Sequence, residues 1–264
     1  MARICPLFSG SSGNSYYIGS AQAGILIDIG RSAKQMQQML NAHDIPIEAI
    51  QAVFLTHEHT DHIKGLRVFA GKYKIPVFSS QGTLCAVEQA GELPESVPVH
   101  TVDSRGIECA GMWVYSFPTQ HDCAEGIGFH ITTADDRTLA FATDLGYITP
   151  QVYENLEGSD FVVLESNHDV GMLKIGSYPY ALKQRILSNY GHLSNEACAE
   201  ILPKLAQSGT ARFLLAHLSH ENNTPELALQ TALCALTMHG LKQGIDYQIQ
   251  VAQRENSGHG AILF

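Results

Sequence analysis

Two packed β-sheets flanked by helices, an α/β (α+β) arrangement, is the architecture this sequence predicts, and three observations predict it. At least six strand-like segments precede the middle of the chain. Helical patterns alternate with strands in both halves, so apolar helix faces are available to cover both sheets. No linker, charge block or low-complexity stretch divides the 264 residues, which are therefore expected to form one domain, 1–264, large enough to bury a sizeable core.

The first strands are residues 3–8 and 16–18, separated by Ser9-Gly10-Ser11-Ser12-Gly13-Asn14-Ser15. Small residues with available N–H groups make either a plain hairpin turn or a loop that holds an anion, in which case Ser11, Ser12 and Asn14 would touch substrate. A third strand, 24–29, is closed by Gly30 and carries Asp28, a residue that could orient a metal ligand or cap the strand end. Ser32 then opens an amphipathic helix with Met36, Met39 and Leu40 as core contacts. The apolar run Ala52-Val53-Phe54-Leu55 reads as a short buried strand, and it delivers Thr56-His57-Glu58-His59-Thr60-Asp61-His62. Alternating spacing sends His57 and His59 to one side, while Asp61 and His62 sit at the turn into a helix that begins near Ile63 and runs to about Ala70.

Strands at 76–78, 99–102 and 112–117 and a helix at 82–90 follow, leading to His121. Residues 126–132 and 138–142 pattern as a hairpin whose second arm delivers Asp144, and the apolar strand 161–164 ends in Glu165-Ser166-Asn167-His168-Asp169. The last third is more helical. Helices are expected at 179–187 and 194–206, the second directly after Gly191-His192-Leu193, and a strand at 212–216 ends in His217. Thr224-Pro225-Glu226 is a complete helix start, with a capping hydroxyl, proline in the first turn and a carboxylate that suits the dipole; this helix runs to His239 and stops at Gly240. A final strand is expected at 247–251.

Composition narrows the function. A hydrophobic fraction of 45% with 16% charged residues is that of an ordinary soluble protein, with no run long and apolar enough to span a bilayer and no signal-like start, so a cytoplasmic protein without membrane contact is expected. The six cysteines are scattered, without a CxxC pair, and fit reduced core residues; Cys123 alone lies beside a candidate ligand, His121. Sixteen basic against twenty-six acidic residues give −10, so a nucleic acid would be held at few points, namely bound cations and small basic clusters such as Lys64, Arg67, Lys72 and Lys74.

The polar residues that end strands are His57, His59, Asp61, His62, His121, Asp144 and His217. Seven imidazole and carboxylate ligands are too many for one tetrahedral ion and suit two divalent ions, Mn2+ or Zn2+, with positions left open for water. One ion would take His57, His59 and His121, the other Asp61, His62 and His217, and Asp144 would bridge; Asp61 could also accept a hydrogen bond from the attacking water.

His-x-His-x-Asp-His after a strand, followed by His, Asp and His at later strand ends, resembles the metallo-β-lactamase superfamily. The likeness covers nearly the whole chain. It implies a four-layer αββα sandwich with a dinuclear site. Ser-Gly-Ser-Ser-Gly-Asn near the start, Glu165-Ser166-Asn167-His168-Asp169, Gly191-His192-Leu193-Ser194-Asn195, and His217-Leu218-Ser219 followed by Glu221-Asn222-Asn223 are similar to the YycJ/WalJ/VicX branch, which implies a metal-dependent exonuclease acting on DNA from the 5′ end. His220 departs from that branch, where a lysine is expected. Neighbouring branches imply the alternatives, an RNA-processing nuclease or a phosphodiesterase of cyclic nucleotides or sugar phosphates. Redox members carry glutamate where this chain has His59, which disfavours oxygen chemistry.

Glu165, His168 and His192 are not needed as ligands. A glutamate that orients an imidazole favours its protonated form, suiting it to bind phosphate or to protonate a leaving oxygen. Glu165 and His192 are accordingly expected to be catalytic, with Asp61, and His192 and His168 to contact the substrate phosphate.

Overall fold

The structure, a computed structural model, describes residues 3–258 and 261–264. In chain order its elements are β1 (Arg3–Phe8), β2 (Ser15–Gly19), β3 (Gly24–Ile27), α1 (Ala33–Ala42), β4 (Ile50–Phe54), α2 (Thr60–Ile63), α3 (Leu66–Tyr73), β5 (Val77–Ser79), α4 (Gln81–Gln89), β6 (Val99–Thr101), β7 (Ile107–Cys109), β8 (Met112–Pro118), β9 (Ile127–Thr132) and β10 (Thr138–Ala142). These are followed by α5 (Pro150–Leu156), β11 (Phe161–Glu165), α6 (Val170–Ile175), α7 (Tyr180–Ile186), α8 (Asn195–Gln207), β12 (Arg212–Ala216), α9 (Pro225–Met238), β13 (Gln248–Val251) and β14 (Ile262–Leu263). The strands make two mixed seven-stranded sheets, ordered β14-β1-β2-β3-β4-β5-β6 and β13-β12-β11-β10-β9-β8-β7, with helices flanking them. The chain gathers into two compact units: the first is Met1–Phe117, Cys123–Arg137 and Gln253–Phe264, the second Pro118–Asp122 and Thr138–Ala252.

The first unit holds the whole first sheet and β7 to β9. Its antiparallel β1, β2 and β3 run into parallel β4, β5 and β6. Met36, Met39 and Leu40 of α1 and Leu66 and Phe69 of α3 bury against Leu26, Val53 and Leu55, as the helical spacing of those apolar residues requires. Each such side chain contributes roughly 1.5–3 kcal/mol by leaving water. On the other face Phe54 meets Phe129 edge-on, ring centroids 5.6 Å apart. Because β3 and β4 are parallel, with Ile27 opposite Phe54, Asp28 and the Thr56-His57 segment leave the sheet at the same end.

The second unit is built on parallel β10, β11, β12 and β13, with Ala142 opposite Leu164 and Glu165 opposite Ala216. β10, β11 and β12 read as largely apolar runs because both faces are covered, whereas β13 at the edge alternates; α8 and α9 bury Leu202, Leu205, Ala232 and Leu236. Asp144, Glu165 and His217 therefore emerge side by side at the carboxyl ends of three neighbouring parallel strands, where open α/β sheets gather their functional residues.

Several expectations need correction. The helix expected from Ile63 to Ala70 is two helices: α2 starts at Thr60 with His59 as its N-cap, so Asp61 and His62 lie in a helical turn, and α3 starts only at Leu66. The break falls at Gly65, where a Cβ would lie 2.1 Å from the Arg31 carbonyl oxygen. Strand β3 stops at Ile27 because Asp28 adopts φ 61°. Helices α5 and α6 and strands β7 and β14 were not anticipated. The two strands are too short to show alternation, but α5 has Thr149-Pro150 at its start, the same signal as Thr224-Pro225. Of the six cysteines only Cys5 and Cys198 are buried; Cys85, Cys109 and Cys123 are half-buried and Cys234 is exposed.

Candidate metal centre

In the first unit the ligand motif is held by hydrogen bonds that leave little choice of ring orientation. Asp28, fully buried, accepts from the Thr56 N–H at 2.8 Å and the Thr56 hydroxyl at 2.8 Å, and its Oδ2 lies 2.8 Å from His62 Nδ1. A histidine whose Nδ1–H donates to a carboxylate presents Nε2 as its lone-pair nitrogen, the tautomer a metal needs. Burial pushes the Asp28 carboxyl up, against the opposing pull of His62 and Thr56. His57 packs with its ring centroid 4.6 Å from that of His59 and 4.1 Å from that of His62. Three imidazoles this close cannot all be protonated without strong repulsion, and neutral rings are what a divalent cation binds. Asp61 Oδ2 lies 3.5 Å from His62 Nε2 and is about a quarter exposed.

Ser9 to Ser15 is not the open cradle its composition suggests. Four of its N–H groups are spent within the protein: Ser9 on Arg254 O, Gly10 on Asn14 Oδ1, Gly13 on Gly10 O, and Asn14 on Asp61 O. Asn14, expected to touch substrate, is 2% exposed, and its Nδ2 sits 3.1 Å from His62 Nε2. It locks the loop to the ligand motif instead. Ser11 and Ser12 remain at the surface.

In the second unit Glu165 is the organising group. Completely buried, its Oε1 lies 2.8 Å from both His192 Nδ1 and His217 Nδ1, and its Oε2 accepts from the N–H groups of Leu145 at 3.0 Å and Leu193 at 3.2 Å. Burial alone would raise its pKa; the neighbouring His192 and the two imidazole donors hold it well below the usual carboxylate range. The sequence reading paired Glu165 with His192 alone and missed His217, because a side chain's second partner depends on register between strands. Asp144 Oδ1 stands 3.3 Å from His217 Nδ1, 3.7 Å from His192 Nδ1 and 3.9 Å from His121 Nε2. His121 is fixed through Nδ1 by the Gly191 carbonyl at 2.9 Å, and burial draws its pKa down. Asp144, Glu165, His192 and His217 are close enough together to hold an ion. Both oxygens of Glu165 are already taken up by four donors.

Three of these strand-end residues, Asp28, Asp144 and His217, have positive φ of 61°, 59° and 55°. Such backbone costs about 1–3 kcal/mol each and clusters where a fold must aim a side chain. The strain turns each side chain out of its strand's alternation.

His168 departs from its expected role. It is 1% exposed, neither ring nitrogen has a hydrogen-bond partner, and burial pulls its pKa down to about 4, so it is a neutral enclosed ring and offers phosphate no cation. Because the folded pKa lies below the ordinary 6.5, its contribution to stability is complete above pH 6.5 and is lost as pH falls from 6.5 toward 4. The full loss is about 3 kcal/mol. His168→Gln is therefore expected to flatten the decline in urea midpoint between pH 7 and pH 5, measured in EDTA so that ligand histidines contribute no metal term. An unchanged decline would remove His168 as its source. His220, at the position that departs from the branch, is exposed and pairs with Glu221 at 2.7 Å.

The donor set, imidazole nitrogens and carboxylate oxygens whose tautomers are fixed by buried partners, fits divalent zinc, manganese or iron. Against known sequences, the profile of the beta-lactamase superfamily domain matches residues 24–218. The chain belongs to the metallo-β-lactamase superfamily. It is 36% identical over 251 residues to exodeoxyribonuclease YycJ of Bacillus anthracis, covering 92% of each chain. It is 37% identical over 246 residues to exodeoxyribonuclease WalJ of Streptococcus pneumoniae, covering 92% of this chain and 91% of that one. Its fold is that of the metallo-β-lactamase fold protein YhfI from Bacillus subtilis, with a TM-score of 0.73 at 17% identity over 96% of this chain and 97% of the other. Family and ligand clusters together make the chain a metal-dependent hydrolase. No helix among the described residues is long and apolar enough to cross a membrane.

Proposed function

We propose that this protein is a cytoplasmic, metal-dependent DNA exonuclease that hydrolyses phosphodiester bonds in the 5′-to-3′ direction. His57, His59 and His121 would hold one ion, Asp61, His62 and His217 the other, and Asp144 both. When bound, the two ions supply an activated water and neutralise charge on the phosphate. The protein's own part rests on one observation: His192, 20% exposed at its side chain, has Nδ1 tied to buried Glu165 at 2.8 Å, so Nε2 is directed away from that carboxylate. Glu165 fixes the ring through Nδ1, and Nε2–H would give its proton to the departing oxygen. Asp61 accepts a hydrogen bond from the attacking water.

Two further observations support a nucleic acid over a β-lactam or thiol ester. The relatives at 36% and 37% identity are named exodeoxyribonucleases. In a chain of charge −10, residues 170–192 carry Lys174, Lys183, Arg185 and three tyrosines with no Asp or Glu. Tyr180 and Tyr190 of that stretch are 77% and 57% exposed, suiting them to stack on bases beside His192.

The test is digestion of duplex DNA labelled at either end, alongside a cyclic phosphodiester, with each divalent metal. Release of terminal nucleotides is expected. Turnover of the cyclic ester with none from DNA would favour the small-substrate reading. His192→Ala is expected to keep its metal and lose roughly a hundredfold or more in turnover. With a nitrophenyl leaving group, which needs no proton, the defect should shrink; a defect of equal size would make His192 a phosphate-binding residue and remove its acid role.

A further inference from the structure

Arg31 was not among the residues that the sequence pointed to, yet it follows directly on the segment that anchors the ligand motif. Its backbone is clamped. The Ile29 N–H donates to His62 O at 2.7 Å and the Gly30 N–H to Asn14 O at 2.8 Å, while a Cβ on Gly30 would lie 1.8 Å from Asp61 O. Its side chain is placed as firmly. A Cβ on Gly13 would meet Arg31 Cδ at 2.7 Å, so the stem lies across that glycine, and the guanidinium sits 5.5 Å from the centroid of the Phe8 ring.

From this position Nη2 donates to the exposed Ser12 hydroxyl at 2.9 Å, and Nε is enclosed without a hydrogen-bond partner. Arg31 makes no ion pair among the described residues. In a chain with ten more acidic than basic residues, a guanidinium held rigid and left without a carboxylate calls for an explanation. The next residue, Ser32, caps α1, whose first turn contains no acidic residue, so the positive end of a ten-residue helix opens beside the same spot. The N–H groups of Ser11 and Ser12 bond no backbone or side-chain acceptor among the described residues, and both residues are at the surface here.

We infer that Arg31, with Ser11 and Ser12, binds the 5′-terminal phosphate monoester of the substrate strand. A monoester carries up to two negative charges and three acceptor oxygens where an internal diester carries one charge and two, so a fixed guanidinium fork distinguishes an end from the interior of a strand. Asn14 joins this loop to Asp61 and His62, and so sets a constant offset between the bound terminus and the ligand motif. The inference rests on the DNA exonuclease reading for its substrate, while the anion site itself does not require hydrolysis.

The experiment uses the full chain in EDTA, so that nothing is cleaved, and oligonucleotides with a 3′ fluorophore and either a 5′-phosphate or a 5′-hydroxyl. Wild type is expected to bind the phosphorylated strand roughly tenfold to a hundredfold more tightly, the range for losing charge-assisted hydrogen bonds, with the difference abolished by competing inorganic phosphate. Arg31→Gln should bind both strands alike and retain hydrolysis of a small phosphodiester when metal is restored. Arg31→Lys, which keeps the charge and loses the fork, should fall between. Equal binding of the two strands by wild type, or undiminished discrimination in Arg31→Gln, overturns the inference. Discrimination that depends on Arg31 in a protein that releases no nucleotide from DNA with any metal sinks the exonuclease reading and leaves the anion site standing.

Discussion

Glu165→Gln is expected to lower turnover by about a thousandfold and to weaken metal retention by roughly ten- to a hundredfold. The reason lies in its four donors. Glu165 receives His192 Nδ1, His217 Nδ1 and the N–H groups of Leu145 and Leu193, all within 3.2 Å. A glutamine has one acceptor oxygen, and its NH2 group would face donors on the other side. At least one imidazole must then rotate or change tautomer, and its Nε2 is lost either as a metal ligand or as a proton donor. Metal analysis after dialysis, together with single-turnover rates at saturating metal, separates the two losses. Full metal content with a purely kinetic defect would mean that His217 does not depend on Glu165 for its orientation.

Asp144→Ala is expected to lose at least one equivalent of divalent metal and more than roughly a hundredfold of activity. Its Oδ1 lies within 3.9 Å of nitrogen atoms from His121, His192 and His217, so its removal takes away the carboxylate that all three imidazoles share. The backbone adds a second cost. Asp144 has φ 59°, and alanine in that region loses about 1–2 kcal/mol, so the comparison needs Asp144→Asn, which tolerates the same backbone and removes only the charge. Both variants should be short of metal. Two ions per chain in Asp144→Asn would sink the shared-ligand assignment.

These two residues also show how far a single sequence reaches. Asp144 was legible as a candidate ligand because it follows an apolar strand, and the same logic of a polar residue at the end of a buried strand pointed to His57, His121 and His217. It rests on chain-local physics: hydrophobic periodicity marks the strand, and the residue after it must leave the sheet. The motif 56–62 was legible for the same reason, with resemblance adding the family. For Glu165 only the partnership with His192 was foreseen, not the one with His217.

What the sequence by itself determined was the alternation of elements, the residue types at the strand ends and the helix starts at Ser32, Ser194 and Thr224, each a consequence of local spacing or capping. Tertiary structure alone decided the pairings: Asp28 with His62, Glu165 with His217, His121 with the Gly191 carbonyl, Asn14 with His62. It also enclosed His168, which the sequence put in contact with phosphate, and clamped Arg31, to which the sequence assigned no role. The four pairings cross 34 to 70 positions of sequence, where distance along the chain carries no information about distance in space. Strand register and the close approaches permitted by Gly13, Gly30 and Gly65 set them, and no local propensity encodes either.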